Sequence, residues 1–238
     1  MKNRIIYLQD IGLTDYQEAF ELQTSLFENL KQIKIDNKHN LVQKTTDNYF
    51  LFTEHPHVYT LGKSGKKEHL LLSDDEMIDK KVQFIPTNRG GDITYHGPGQ
   101  IVGYPIIDLD NFGLEIMSYM RKLEEVIIKV LADYQIKGER SEGETGVWLD
   151  VGKPTARKIC AMGVKTSRWV TMHGFALNVD VDLDYFNHII PCGIKNKGVT
   201  SLQNELQTKV DKEEVKQLII KYFEQKFGAN IKKDATLR

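Results

Sequence analysis

The segment EIMSYMRKLEEVIIKVLADYQIKGERSEGETGVWLDVGKPTARKICAMGVKTSRWVTMHGFALNV, residues 115–179, contains the change of period on which the fold turns. Its first third places Ile116, Met120, Leu123, Ile127, Val130, Leu131 and Tyr134 at three- and four-residue intervals. That spacing draws one apolar stripe down a helix over 115–135, stopped by Gly138. The remainder switches to β-rich runs around 145–149, 157–164 and 169–179, with Asp150 to Thr155 (Gly152, Pro154) as a hairpin turn between the first two. A crossover-length helix running into successive strands predicts an α/β fold with a mixed β-sheet.

Moving outward, Thr14 is a good N-cap for a helix over 15–34 whose stripe is Tyr16, Ala19, Phe20, Leu26, Phe27, Leu30 and Ile33. Asp36 to Asn48 reads as a loop. Strands follow at Tyr49–Thr53 and Val58–Leu61, separated by His55-Pro56. Ser73-x-x-Glu76 is a capping box for a short helix ending near Lys80, and Val82–Ile85 and Tyr104–Leu109 read as further strands. A last helix over 211–227 turns Val215, Leu218, Ile219 and Phe223 inward and ends at Gly228. With no repeat and no Ser/Gly/Pro-rich linker, the expectation is a single α/β domain over 1–238, its mixed sheet flanked by helices, with scope for a small C-terminal subdomain from about residue 185.

Composition narrows the function. At 238 residues, 40% hydrophobic and 27% charged, the chain is long enough for a sizeable core. Thirty-two Lys and Arg against 33 Asp and Glu leave a net charge of -1, so no global field points to nucleic acid or membrane, and neither is expected as a partner. Ile5-Ile6-Tyr7-Leu8 is too short for a signal-peptide core and no run approaches a membrane span, so the expected location is the cytoplasm. Two cysteines without Cys-x-x-Cys, Cys160 and Cys192, indicate neither a disulfide framework nor a zinc site, and no metal or other cofactor is expected.

Four segments can carry chemistry. Arg89-Gly90-Gly91-Asp92-Ile93-Thr94-Tyr95-His96-Gly97-Pro98-Gly99-Gln100 packs four glycines, a cation and a histidine between strands, which lets main-chain N–H groups approach a ligand. It is neither Gly-x-Gly-x-x-Gly nor a Walker loop. In Arg157 to Gly163, period-two alternation puts Lys158, Cys160 and Met162 on one face and Ile159 and Ala161 on the other. Lys158 then reads either as a partly desolvated general base or as an exposed edge-strand lysine. In His173-Gly174-Phe175-Ala176-Leu177-Asn178-Val179, the small residues leave either an acyl-sized slot or a bulge beside a hydrogen-bonded core histidine. Ile190-Pro191-Cys192-Gly193-Ile194 sets Cys192 in a turn near Lys195 and Lys197, where backbone N–H groups and cations favour a thiolate. Cys192 is the better nucleophile candidate, although a turn cysteine also serves as a small hydrophobe. Cys160, between Ile159 and Ala161, reads as a buried inert thiol.

Together these segments resemble the octanoyltransferases of lipoate biosynthesis. Glu54-His55-Pro56, Val58-Tyr59-Thr60-Leu61-Gly62 and Thr145-Gly146-Val147-Trp148 extend the resemblance over roughly residues 50–202. It implies a fold similar to the catalytic domains of biotin and lipoate protein ligases, and an acyl-thioester on Cys192 assisted by Lys158. It places substrate binding on Arg89, Gly90, Gly91, Asp92, Ile93, Thr94, Tyr95 and His96, on Ala161, Met162 and Gly163, and on Gly174, Phe175 and Ala176. The implied donor is octanoyl-acyl carrier protein. The implied acceptors are lipoyl domains of 2-oxoacid dehydrogenase E2 subunits and the glycine cleavage H protein. One departure is Cys160, where the family usually carries a small residue such as alanine. Thioester-to-amide transfer is downhill and needs no ATP, only a nucleophile and proton management. The competing readings are an ATP-dependent lipoate- or biotin-protein ligase and a non-catalytic acyl-protein binding module. Cys192 and the glycine-rich wording weigh against both.

Overall fold

The computed structural model describes residues 2–39, 43–190 and 198–234. In chain order the elements are β1 (Ile5–Leu13), α1 (Tyr16–His39), β2 (Tyr49–Glu54), β3 (Val58–Leu61), α2 (Asp74–Asp79), β4 (Gln83–Pro86), β5 (Ile93–His96), β6 (Gln100–Ile106) and α3 (Leu109–Phe112). There follow α4 (Ile116–Asp133), β7 (Glu139–Ser141), β8 (Glu144–Leu149), β9 (Arg157–Ser167), β10 (Val170–Asn178), β11 (Gly198–Val199), α5 (Leu202–Leu206), α6 (Lys212–Phe227) and β12 (Asn230–Lys233). Among the described residues a large mixed sheet has the order β12-β1-β2-β6-β10-β9-β8-β7, with β11 beside β9, and a small sheet has the order β4-β3-β5. The α/β class with a mixed sheet is as expected.

Alternation along the central strands builds two cores. Phe50, Phe52, Ile101, Phe175 and Leu177 face α4 and α6, meeting Leu123, Ile127, Val215, Ile219 and Phe223. The intervening Leu51, Val102, Tyr104, Met172 and Ala176 face α1 and meet Ala19, Phe27 and Leu30. A third cluster around Tyr59, Ile93 and Tyr95 packs the small sheet against Val181 and Ile189.

Several boundaries differ from expectation. Ile5–Leu13 and Asn230–Lys233 are strands, paired parallel with each other, and β1 also runs parallel to β2. α1 continues to His39 into the expected loop, where Asn37 bonds the returning chain twice, its Nδ2 donating to the Lys44 carbonyl and its Oδ1 accepting from the Lys44 N–H, each at 2.8 Å. The glycine-rich segment contains β5, and the next strand starts at Gln100 rather than Tyr104. The shared face of Lys158 and Cys160 is also corrected. Val147 pairs with Cys160 and Trp148 with Lys158, so Ile159 is an extra residue in a β-bulge. The bulge reverses the alternation there. Ile159 and Cys160 both enter the core, and Lys158 stands beside Trp148 with Nζ 4.6 Å from the ring centroid.

Candidate active site

A cavity of about 810 Å³ is lined from both sheets. Its deep wall includes Tyr16, His96, Val102, Tyr104, His173 and Ala176, all buried, and its rim includes exposed Ser64, Lys66, Gly143 and Thr145. Although much of that deep wall is polar by residue type, protein partners take the polar atoms. Tyr104 Oη donates to His55 Nε2 (2.7 Å), whose Nδ1–H donates to the Thr14 carbonyl (2.8 Å). His173 Nε2 bonds Asn88 Oδ1 at 2.8 Å, and Tyr16 Oη donates to Thr87 Oγ1 at 3.3 Å. Burial lowers His55 to about 4 and His173 to about 3 and holds His96 well below its usual range, so the three are neutral at pH 7. The deep wall therefore offers mostly carbon surface, which suits an alkyl chain.

Arg89 lies almost fully buried at the base of the glycine-rich loop, its Nη2 donating to the Thr60 carbonyl (2.6 Å) and to Thr60 Oγ1 (2.9 Å). Gly90 N–H donates to the Val164 carbonyl of β9 at 2.9 Å. This approach requires a glycine at 163, where a Cβ would lie 2.7 Å from the Gly90 carbonyl oxygen. At the other side Asp92 meets His69 Nδ1 at 2.6 Å.

Of the residues singled out in sequence, Lys158, Arg89 to Thr94, His96, Ala161 to Gly163 and Gly174 to Ala176 all line this cavity. Tyr95 turns the other way: its buried ring stacks on Tyr185 at 4.9 Å and its hydroxyl bonds His57 Nδ1 at 2.7 Å. Cys192 lies outside the described residues, as do Lys195 and Lys197. The chain on both sides of that segment reaches the cavity. Ile189, Gly198 and Val199 line it, Ile190 N–H donates to the His69 carbonyl (2.9 Å), and Gly198 and Val199 pair with Arg157 and Lys158. Cys160 is wholly buried in the core, which pushes its thiol up strongly, and it does not line the cavity. Tyr16, His69, Tyr104 and Trp148 were given no site role from sequence. Tyr16 stood in the sequence as the first apolar residue behind the Thr14 cap, Tyr104 as a strand residue and Trp148 in a segment of the resemblance, but none of these positions marked a site role. Among the described residues no group of three or more His, Cys, Asp or Glu is placed to hold a metal, and no helix is long and apolar enough to cross a membrane.

Residues 15–224 match the family model described as the lipoyl protein ligase A/B catalytic domain. The chain belongs to that family. Within it, the octanoyltransferase of Flavobacterium psychrophilum is 60% identical over 230 residues, covering 96% of this chain and 99% of that protein. The octanoyltransferase of Christiangramia forsetii is 57% identical over 231 residues, 97% of this chain and 99% of that one. These relatives make the chain an acyltransferase of the octanoyltransferase group. Among solved structures, a bipartite lipoate protein ligase from Thermoplasma acidophilum shares the fold at a TM-score of 0.70 and 17% identity, covering 99% of this chain and 87% of that one.

Proposed function

We propose that this member of the family moves an octanoyl group from octanoyl-acyl carrier protein to the ε-amine of a lysine on lipoyl domains, those of 2-oxoacid dehydrogenase E2 subunits and the glycine cleavage H protein. The reaction runs in the cytoplasm, within one catalytic domain, through a thioester on Cys192. The observation that carries this reading is the cavity: a deep wall with its polar atoms engaged, Lys158 at its side, and the chain flanking the Cys192 turn at its edge.

In the first half-reaction neutral Lys158 takes the thiol proton as the Cys192 sulfur attacks the thioester carbonyl. The carbon–sulfur bond to the carrier breaks, and the Lys158 ammonium returns its proton to the departing thiolate. In the second, the acceptor amine attacks the acyl-cysteine, Lys158 takes the amine proton, the carbon–sulfur bond breaks, and the Lys158 ammonium returns that proton to the departing Cys192 thiolate. Arg89 to Thr94, His96, Ala161 to Gly163 and Gly174 to Ala176, which line the cavity, bind the acyl arm.

Intact-protein mass spectrometry after mixing with octanoyl-acyl carrier protein, without nucleotide, tests the reading. One octanoyl adduct is expected on the wild type, none on Cys192→Ser, and one on Cys160→Ala. Lys158→Ala should form it some ~10²–10⁴-fold more slowly. Strict dependence on ATP would move the chain to the ligases, and an adduct mapping to Cys160 would overturn the assigned nucleophile.

A further inference from the structure

We infer that Asn178 is a positioning residue for the transfer, the last side chain of a buried, one-directional hydrogen-bond relay joining the Arg89 loop to the Lys158 strand. The inference rests on the proposed role of Lys158. Six residues form the relay, and all are buried: Arg89, Thr60, His96, Gln100, Asn178 and Thr200.

Two carbonyls fix every donor in it. Gln100 Nε2 lies 3.1 Å from the Tyr95 carbonyl oxygen and 2.9 Å from Asn178 Oδ1, so its amide nitrogen faces both acceptors and its Oε1 must accept. Asn178 Nδ2 lies 2.9 Å from the Thr200 carbonyl oxygen, which fixes the second amide the same way. His96 is neutral and carries its single proton on Nδ1, donated to Gln100 Oε1 at 3.1 Å. Its Nε2 therefore accepts from Thr60 Oγ1 (3.4 Å), which in turn accepts from the Arg89 guanidinium (2.9 Å). Each bond polarises the next, starting from a cation. The Thr200 N–H closes the connection on the Lys158 carbonyl at 2.9 Å.

Residue 200 directly follows β11, which holds the chain leaving the Cys192 segment against Arg157 and Lys158. Asn178 thus sets the β9 backbone at Lys158 and the return of that segment in one register with the glycine-rich loop. Asn178 lines the cavity, but its Oδ1 is taken by Gln100 and its Nδ2 by the Thr200 carbonyl, so its role is to position rather than to react.

The test is single-turnover acylation by octanoyl-acyl carrier protein, normalised to the sites that accept the acyl group at the endpoint, which removes any loss of folded protein. Asn178→Asp keeps the acceptor for Gln100 and loses the donor to Thr200. It should acylate every site at least tenfold more slowly, with donor KM within twofold of wild type. Thr60→Val removes only the hydroxyl step and should show the same split, which covers the case of an aspartate variant that does not fold. Normalised rates within twofold of wild type, or a loss carried by KM, would overturn the inference. Lys158→Ala run in parallel separates the two readings: if it acylates at the wild-type rate the proposed mechanism fails, and if it slows while both relay variants do not, the relay alone fails.

Discussion

At pH 7 His55, His96 and His173 stand neutral in and behind the cavity wall, and burial is the leading cause for each. Their folded pKa values lie below the ~6.5 of an unfolded histidine, so under pH 6.5 the unfolded chain binds more protons than the folded one. The stability they confer is complete above ~6.5 and is lost as pH falls toward about 4 for His55 and about 3 for His173. Each buried histidine steepens the fall by up to ~1.4 kcal/mol per pH unit. Carboxylates paired in the fold, such as Glu205 with Arg157, are held below their usual range and begin to titrate at lower pH. The window from pH 6.5 to 5 therefore belongs to the histidines. The urea midpoint should drop across it, and His55→Gln should remove part of the drop, the rest remaining with His96, His173 and His57, which burial also lowers. A midpoint constant from pH 6.5 to 5 would show these rings to be solvated.

The bulge at Ile159 decides where Lys158 stands, and it is the element least readable from sequence. Gly146 faces it, with φ +119 and the Cys160 carbonyl oxygen 2.5 Å from where a Cβ would sit. Gly152, in the turn between β8 and β9, also has positive φ (+83) but has nothing within 4 Å of its Cβ position. Gly152→Ala should therefore cost only backbone strain, about 1 kcal/mol, whereas Gly146→Ala adds a main-chain clash and should cost over ~2 kcal/mol. Gly146→Ala should also slow acylation by moving Lys158, whose Cε lies 3.7 Å from the same point. Equal losses in chemical denaturation would refute the account. The long stripes of α4 and α6 and the Ser73–Glu76 box were legible because local periodicity and capping create them, and the box is present with both reciprocal bonds. β1 and β12 were not, because each is stabilised by parallel pairing with a partner distant in sequence rather than by its own pattern. The same holds in the site: the glycine-rich loop showed itself by composition, but Trp148 beside Lys158 and Tyr104 on the far wall depend on strand register.

Over the whole molecule, charge is nearly balanced at -1, so any electrostatic guidance of a protein substrate has to be local. Lys63, Lys66 and Lys67 are exposed on the loop after β3, and Lys66 is at the cavity rim. Lys165 is held below its usual range first by burial, with Lys31 and Lys63 adding to it and Glu28 opposing. The proposed donor is an acidic carrier protein that must bring its acyl arm to this opening. Charges at a rim act mainly on encounter, which places their effect in KM and makes it sensitive to salt. The double variant Lys66→Glu with Lys67→Glu should raise donor KM at low ionic strength, with the gap to wild type closing as salt is added. Lysines contributing only solvation would leave donor KM unchanged even at low salt, and that result would move donor docking to another face. Comparing the donor with the lipoyl-domain acceptor divides the surface further. If acceptor KM rises equally, both proteins use this side in turn, as the two proposed half-reactions at one cysteine allow.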